Sequence, residues 1–135
     1  MHEKIVLTGV VVRGNQLGRT IGFPTANLIP GVDEVLSVNN GVYAARVKID
    51  DRMYDGMANI GIRPTLDQHT LTIEVHIFDF SEDLYDQIIS IYFYDFIRPE
   101  RKFSGLDELK FQLGKDKITI RDLLSGRVQT DTYTQ

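Results

Sequence analysis

Most of the chain up to residue 103 reads in strand-length apolar runs, and none of it repeats with a helical period. Ile5–Val12 is a nearly unbroken apolar run. Val42–Ile49 follows Asn40-Gly41, and Asp50-Asp51 then turns the chain into Met53–Ile60. Leu71–Asp79 alternates: Leu71, Ile73, Val75 and Ile77 fall on one face, and Thr72, Glu74 and His76 on the other. Ile88–Ile97 is rich in aromatic and β-branched residues, which favour strands. With no helical pattern between these runs, the connections are hairpin-like and the sheet is mainly antiparallel. At least five strands in so short a chain predict a closed or nearly closed barrel, which also removes the sheet edges.

A 3.6-residue pattern begins only near the end. Ser104 with Asp107 three residues on predicts a helix start, and Leu106, Leu109 and Leu113 make an apolar stripe. Gly114 predicts a stop, and Asp116–Leu124 a second helical stretch. The tail from Ser125 is polar. One domain over residues 1–125, with a polar tail over 126–135, is the expected organisation.

Composition narrows the function. A chain of 135 residues holds a single core. Cysteine is absent, which removes disulfides, thiol nucleophiles and thiolate metal sites together. The net charge of -4 comes from mixed signs, so no basic stripe is present to neutralise a nucleic-acid backbone. Ile5–Val12 is too short to span a bilayer and has neither the lead-in nor the cleavage site of a signal peptide. No membrane association and a cytoplasmic location are the expectations. Arg13 and Arg19 are the local cations that an anionic small molecule needs.

They flank Gly14-Asn-Gln-Leu-Gly18-Arg19-Thr20, which comes near a phosphate-binding P-loop. Its glycines are one residue too close, however, and arginine stands where lysine is required. Ile21-Gly22-Phe23-Pro24 then prevents the helix whose N-terminus would receive phosphate. Beyond Pro24, alternation puts Thr25 and Asn27 on one side. A hydroxyl and an amide carbonyl are neutral oxygen ligands suited to a hard cation such as Mg²⁺, but the same residues also serve as ordinary turn chemistry. Glu74, opposite the apolar face of its strand, is either solvated or lines a cleft. Three dispersed histidines make no zinc site, and His76, on the Glu74 face, reads as a residue that supports the site from behind or as a packing residue. Glu82, Asp83 and Asp86 read as a solvated turn with Tyr85 packed beneath it. Tyr92, Phe93, Tyr94 and Phe96 read as barrel core or as part of an apolar slot near Arg98.

The run Gly14-x3-Gly18-Arg19-x2-Gly22-Phe23-Pro24-Thr25-Ala26-Asn27 resembles the signature of the ATP-dependent riboflavin kinases. That family includes the C-terminal half of bifunctional bacterial FAD synthetases. The resemblance continues through Gly41-Val42-Tyr43-Ala44, Asn59-Ile60-Gly61-Ile62-Arg63-Pro64-Thr65 and Glu74-Val75-His76-Ile77-Phe78. It runs on to Arg98-Pro99-Glu100-Arg101-Lys102-Phe103. It implies a mainly β fold, a six-stranded antiparallel Greek-key barrel with a C-terminal helix, and transfer of the ATP γ-phosphate to the ribityl 5′-hydroxyl of riboflavin. It also implies Glu74 as catalytic base, Thr25 and Asn27 as Mg²⁺ and phosphate contacts, and Gly14, Gly18 and Arg19 as the loop over the nucleotide. Arg98, Lys102 and Phe103 would belong to a mobile loop that closes over the flavin. The adenylyltransferase half of the bifunctional enzymes has no counterpart in the sequence, so this chain is expected to stop at FMN unless such a domain accompanies it.

Overall fold

The computed structural model describes residues 5–13, 17–30, 39–64 and 69–126. They form strands β1 (Ile5–Val12), β2 (Ala26–Pro30), β3 (Gly41–Ile49), β4 (Arg52–Pro64), β5 (His69–Ile77) and β6 (Ile88–Arg98). A one-turn helix α1 (Leu17–Thr20) precedes β2, and α2 (Leu106–Ser125) ends the fold. The strands close into an antiparallel barrel in the order β1-β2-β5-β4-β3-β6. Three hairpin-linked strands, β3 to β5, with β6 returning beside β3, make the Greek key.

Alternation fills the interior. The inward residues of β5 (Ile73, Val75, Ile77) meet Leu7, Val47, Ile60, Ile89 and Ile91 in one cluster of buried apolar side chains. The turn after β5 contributes Leu84 to that cluster, while Tyr85 stays 47% exposed; leucine, not the predicted tyrosine, packs beneath the acidic turn.

A second apolar cluster lies outside the barrel, where α2 covers Val42, Ala44, Met57 and Phe78. Two predictions about this region are corrected. Ser104 does not cap a helix: Gly105 holds the N-cap position without a side-chain bond, and the Ser104 N–H donates to Glu108 instead (3.0 Å). Nor does Gly114 end one, because α2 runs unbroken for 20 residues. A helical glycine costs about 1 kcal/mol, and fully burying Ile120 and Leu124 against the sheet returns about 1.5–3 kcal/mol each. Packing wins. The inward stripe runs from half-buried Leu109 and Leu113 to buried Asp116, Ile120 and Leu124, with Leu106 left 45% exposed.

The C-terminus of α2 carries no basic residue in its last turn. Arg46, buried on β3, supplies the cation instead: its Nη2 donates to the Leu124 carbonyl at 2.8 Å, and its Nε to Asp55, its cross-strand neighbour, at 3.1 Å. That pair fixes the helix over one side of the barrel, and the cleft described next lies beneath its first half.

Candidate active site

Register assembles the site. Residues directly opposite in an antiparallel pair share a face. Glu74 of β5 lies opposite Asn27 of β2 on one side and Asn59 of β4 on the other. Asn59 lies opposite Val42 of β3, and Val42 opposite Arg98 of β6. One outward row across five strands therefore reads Asn27, Glu74, Asn59, Val42, Arg98. Arg98 joins it through a bulge. Phe96 pairs with the inward Tyr43, so simple alternation would put Arg98 on Phe96's face; the extra residue Ile97 brings it opposite Val42 instead.

Two clefts meet at Thr25, which lines both. The first, about 260 Å³, runs under α2 and has apolar walls of Phe23, Val42, Met57, Phe103, Leu109 and Leu113. Glu74, Asn59, Glu100, Arg98 and Arg101 supply its polar groups. The second, about 420 Å³, opens beside β1 and β2 and is lined by Arg13, Arg19, Asn27 and the 80–85 turn. At the junction the Thr25 hydroxyl donates to Glu74 Oε1 at 3.1 Å.

The turn that delivers Thr25 is built on Gly18. A Cβ there would lie 2.3 Å from the Phe23 carbonyl oxygen, and the Phe23 N–H donates to the Gly18 carbonyl at 2.8 Å. The GFPT segment thus folds back directly onto α1, which stops after one turn as the glycine and proline require. His76 fixes the other side of this turn, with Nδ1 2.7 Å from the Pro24 carbonyl oxygen. A carbonyl only accepts, so the neutral ring carries its proton on Nδ1. Burial pushes His76 below the ordinary histidine value of 6.5; Lys117 and Arg121 push the same way, against the Pro24 carbonyl and Asp79.

The Arg98–Phe103 loop is tied at several points. The Arg98 guanidinium meets the carboxylate of Asp116, itself 3% exposed, through Nε (3.0 and 3.1 Å) and Nη2 (2.8 Å). Gln112 donates to Asp116 and accepts from Arg101, each at 2.9 Å. Asn59 Nδ2 donates to Glu100 at 3.1 Å. Phe103 packs under the Arg101 guanidinium, 4.6 Å from its ring centroid.

Of the expected site residues, Gly18, Thr25, Glu74, Arg98 and Phe103 line the first cleft, and Arg19, Thr25 and Asn27 the second. Gly14 lies outside the described residues. Lys102 is exposed and lines neither cleft, whereas its neighbour Arg101 lines the first. Asn59, Glu100 and the α2 leucines enter the site without having been singled out. Asn59 stood in a recognised motif, but only register places it beside Glu74.

A closed Greek-key barrel with a helix over one wall, and a carboxylate set where an apolar-walled cleft meets a more polar one, describes a class of small-molecule site. The family follows from comparison: the riboflavin kinase (Flavokinase) family model matches residues 1–124, and the chain belongs to that family. It is 43% identical over 114 residues to the bifunctional riboflavin kinase/FMN adenylyltransferase of Haemophilus influenzae, covering 84% of this chain but 36% of that protein. The chain therefore spans little more than a third of that relative's length. The crystal structure of riboflavin kinase from Trypanosoma brucei superposes with a TM-score of 0.69 at 28% identity, covering 92% of this chain and 82% of that one. A Streptococcus pneumoniae crystal structure described as a macrolide-efflux protein gives a TM-score of 0.80 at 40% identity, covering 86% of this chain and 38% of that one. Among the described residues, no helix is long and apolar enough to cross a membrane.

Proposed function

We propose that this chain transfers the γ-phosphate of ATP to the ribityl 5′-hydroxyl of riboflavin, giving FMN and ADP. The observation that carries this reading is the Thr25–Glu74 contact, at the junction of two clefts, the first with the more apolar walls. A planar aromatic ring system belongs in the first cleft, between Met57, Phe103 and the α2 leucines. Phosphates belong in the second, near Arg13 and Arg19. The two reactants then meet at Glu74.

Phosphoryl transfer passes through a loose transition state, so alignment and charge neutralisation dominate. The ribityl oxygen attacks the γ-phosphorus, the bond from that phosphorus to the β,γ-bridging oxygen breaks, and ADP leaves. A carboxylate is too weak a base to deprotonate an alcohol in advance. Glu74 orients the hydroxyl and accepts its proton late in the transfer.

The donor set suits Mg²⁺. The Thr25 hydroxyl and the Asn27 amide offer neutral oxygens beside Glu74. Among the described residues no three His, Cys, Asp or Glu side chains gather to hold a metal, so a cation here would draw its anionic ligands from the phosphates. Mg²⁺ binds in that way, with one or two protein groups plus phosphate oxygens. Bound there, it would neutralise charge on the transferring phosphoryl group. ATP as donor fits a cytoplasmic setting, and FMN is the substrate of an adenylyltransferase such as the Haemophilus relative's name includes.

The test is turnover of ATP, Mg²⁺ and riboflavin, with FMN resolved by chromatography. Glu74→Gln keeps the shape and the Thr25 contact but removes the proton acceptor, so kcat falls by about 10²–10⁴-fold while riboflavin still binds. Near-normal turnover in that variant removes Glu74 from the mechanism, and binding of both ligands without FMN formation makes the barrel a binding module.

A further inference from the structure

Glu100 is a second carboxylate in the cleft, and catalysis as derived above makes no use of it. It comes from the β6–α2 loop rather than from the barrel wall. Its Oε2 is held at 3.1 Å by the Asn59 amide, and Asn59 is the cross-strand neighbour of Glu74. The next row of the wall makes room for it: a Cβ on Gly61 would lie 2.7 Å from Glu100 Oε2 and 2.9 Å from the Thr72 hydroxyl. Glycine at 61 leaves a notch that the carboxylate fills. The notch lies on the Asn59 side of Glu74, away from Asn27.

This arrangement has a direction. From Asn27 towards Arg98, the outward row passes from the cleft that Arg19, Thr25 and Asn27 line through Glu74 to Asn59 and Glu100. A carboxylate repels phosphate oxygens but accepts readily from hydroxyls. On the far side of Glu74, in a cleft with apolar walls, it can accept from an alcohol bearing further hydroxyls.

We infer that Glu100, set in place by Asn59 and the Gly61 notch, determines specificity for a polyol acceptor by accepting hydrogen bonds from the secondary hydroxyls next to the reacting one. The inference rests on the reading of this cleft as the flavin site. It deepens that reading by naming the part of the acceptor that is recognised. Glu74 acts on the terminal hydroxyl, and Glu100 on the hydroxyls behind it.

The test compares riboflavin with a flavin carrying a 5-hydroxypentyl chain, which has the same ring and terminal hydroxyl but no secondary hydroxyls. Wild-type protein prefers riboflavin in kcat/KM. Glu100→Ala lowers kcat/KM for riboflavin about 10- to 100-fold, the effect of losing hydrogen bonds to a charged group, and leaves the pentyl analogue within about twofold. Asn59→Ala, which releases Glu100, reduces the same preference. Titration of flavin fluorescence, which needs no turnover, shows the same selective loss in Kd. Equal losses for both flavins, or none for either, overturn the inference and leave Glu100 as a tie for the loop. Wild-type protein that makes FMN yet treats both flavins alike refutes this inference alone. Wild-type protein that makes no FMN refutes the kinase reading, and the inference with it.

Discussion

Asp116→Ala removes the anchor of the active-site loop, and its cost can be worked from the contacts. The carboxylate is 3% exposed and accepts three N–H contacts from Arg98 and one from Gln112. Breaking a fully buried pair costs about 3–5 kcal/mol, mostly through the charge left behind. The Arg98 side chain is 16% exposed and opens on a cleft, so water recovers part of that penalty. A loss of about 2–4 kcal/mol follows, which in a domain of this size lowers Tm by roughly 10 °C. Thermal and urea unfolding of the variant measure it. Arg98→Met with Asp116→Leu removes both charges and should regain at least half of the stability, because no buried ion is then orphaned. Its riboflavin KM should stay raised, since the guanidinium that lines the cleft is gone. A loss below about 0.5 kcal/mol in the single variant would refute the anchor. So would a double variant no more stable than the single one.

Two further predictions concern the cation and the buried histidine. Asn27→Ala should raise the Mg²⁺ concentration needed for half-maximal turnover several-fold while riboflavin binding persists, and an unchanged Mg²⁺ titration would return Asn27 to a purely structural role. His76 is depressed in the folded state, so between its folded and unfolded values the unfolded chain binds more protons and stability rises with pH. Its contribution is complete above about pH 6.5 and is lost as pH falls from there towards the folded value, with a slope of at most about 1.4 kcal/mol per pH unit. His76→Gln can still donate to the Pro24 carbonyl and should flatten stability against pH between about 7 and 5; an identical profile in both proteins would contradict the assignment.

Strand existence and facing were legible because alternation is a local property. Ile73, Val75 and Ile77 point inward and Glu74 outward, as their spacing requires. β2 was not legible from pattern: Ala26–Pro30 is five residues long with Pro24 just ahead, too short for a period, and only the resemblance supplied a sixth strand. Register was illegible in principle. Asn59 is 15 residues from Glu74 in sequence, and only the β4–β5 pairing sets them side by side. Bulges hide in the same way: β6 shifts register between Phe93 and Phe96 and again between Phe96 and Arg98, so parity from Ile89, Ile91 and Phe93 misplaces Phe96, and only the second shift returns Arg98 to the outward face. Gly114 misled because propensity is a local quantity of about 1 kcal/mol, whereas the barrel wall that buries Ile120 and Leu124 is remote in sequence.

The ties on the Arg98–Phe103 loop differ in strength along its length, and the difference locates its hinge. Arg98 is bound to a carboxylate that is 3% exposed, and moving it means orphaning that buried charge. Beyond it, Glu100 is held by one exposed hydrogen bond to Asn59, and Arg101 by one exposed bond to Gln112. Exposed contacts of this kind contribute about 0–1 kcal/mol each, so the outer part of the loop can release for roughly 1–2 kcal/mol while Arg98 stays fixed. A cleft that must admit a flavin and discharge a larger, charged product needs such a segment. For the mobile loop expected from the sequence, we propose that motion is confined to Glu100–Phe103, with Arg98 as its post. Glu100 then rides on the part that moves, and its carboxylate sits in the Gly61 notch when the loop lies against the barrel wall. On the kinase reading proposed above, a polyol that donates to Glu100 would hold the loop down, coupling recognition of the acceptor to exclusion of water from the phosphoryl transfer, so that ATP is not spent on water.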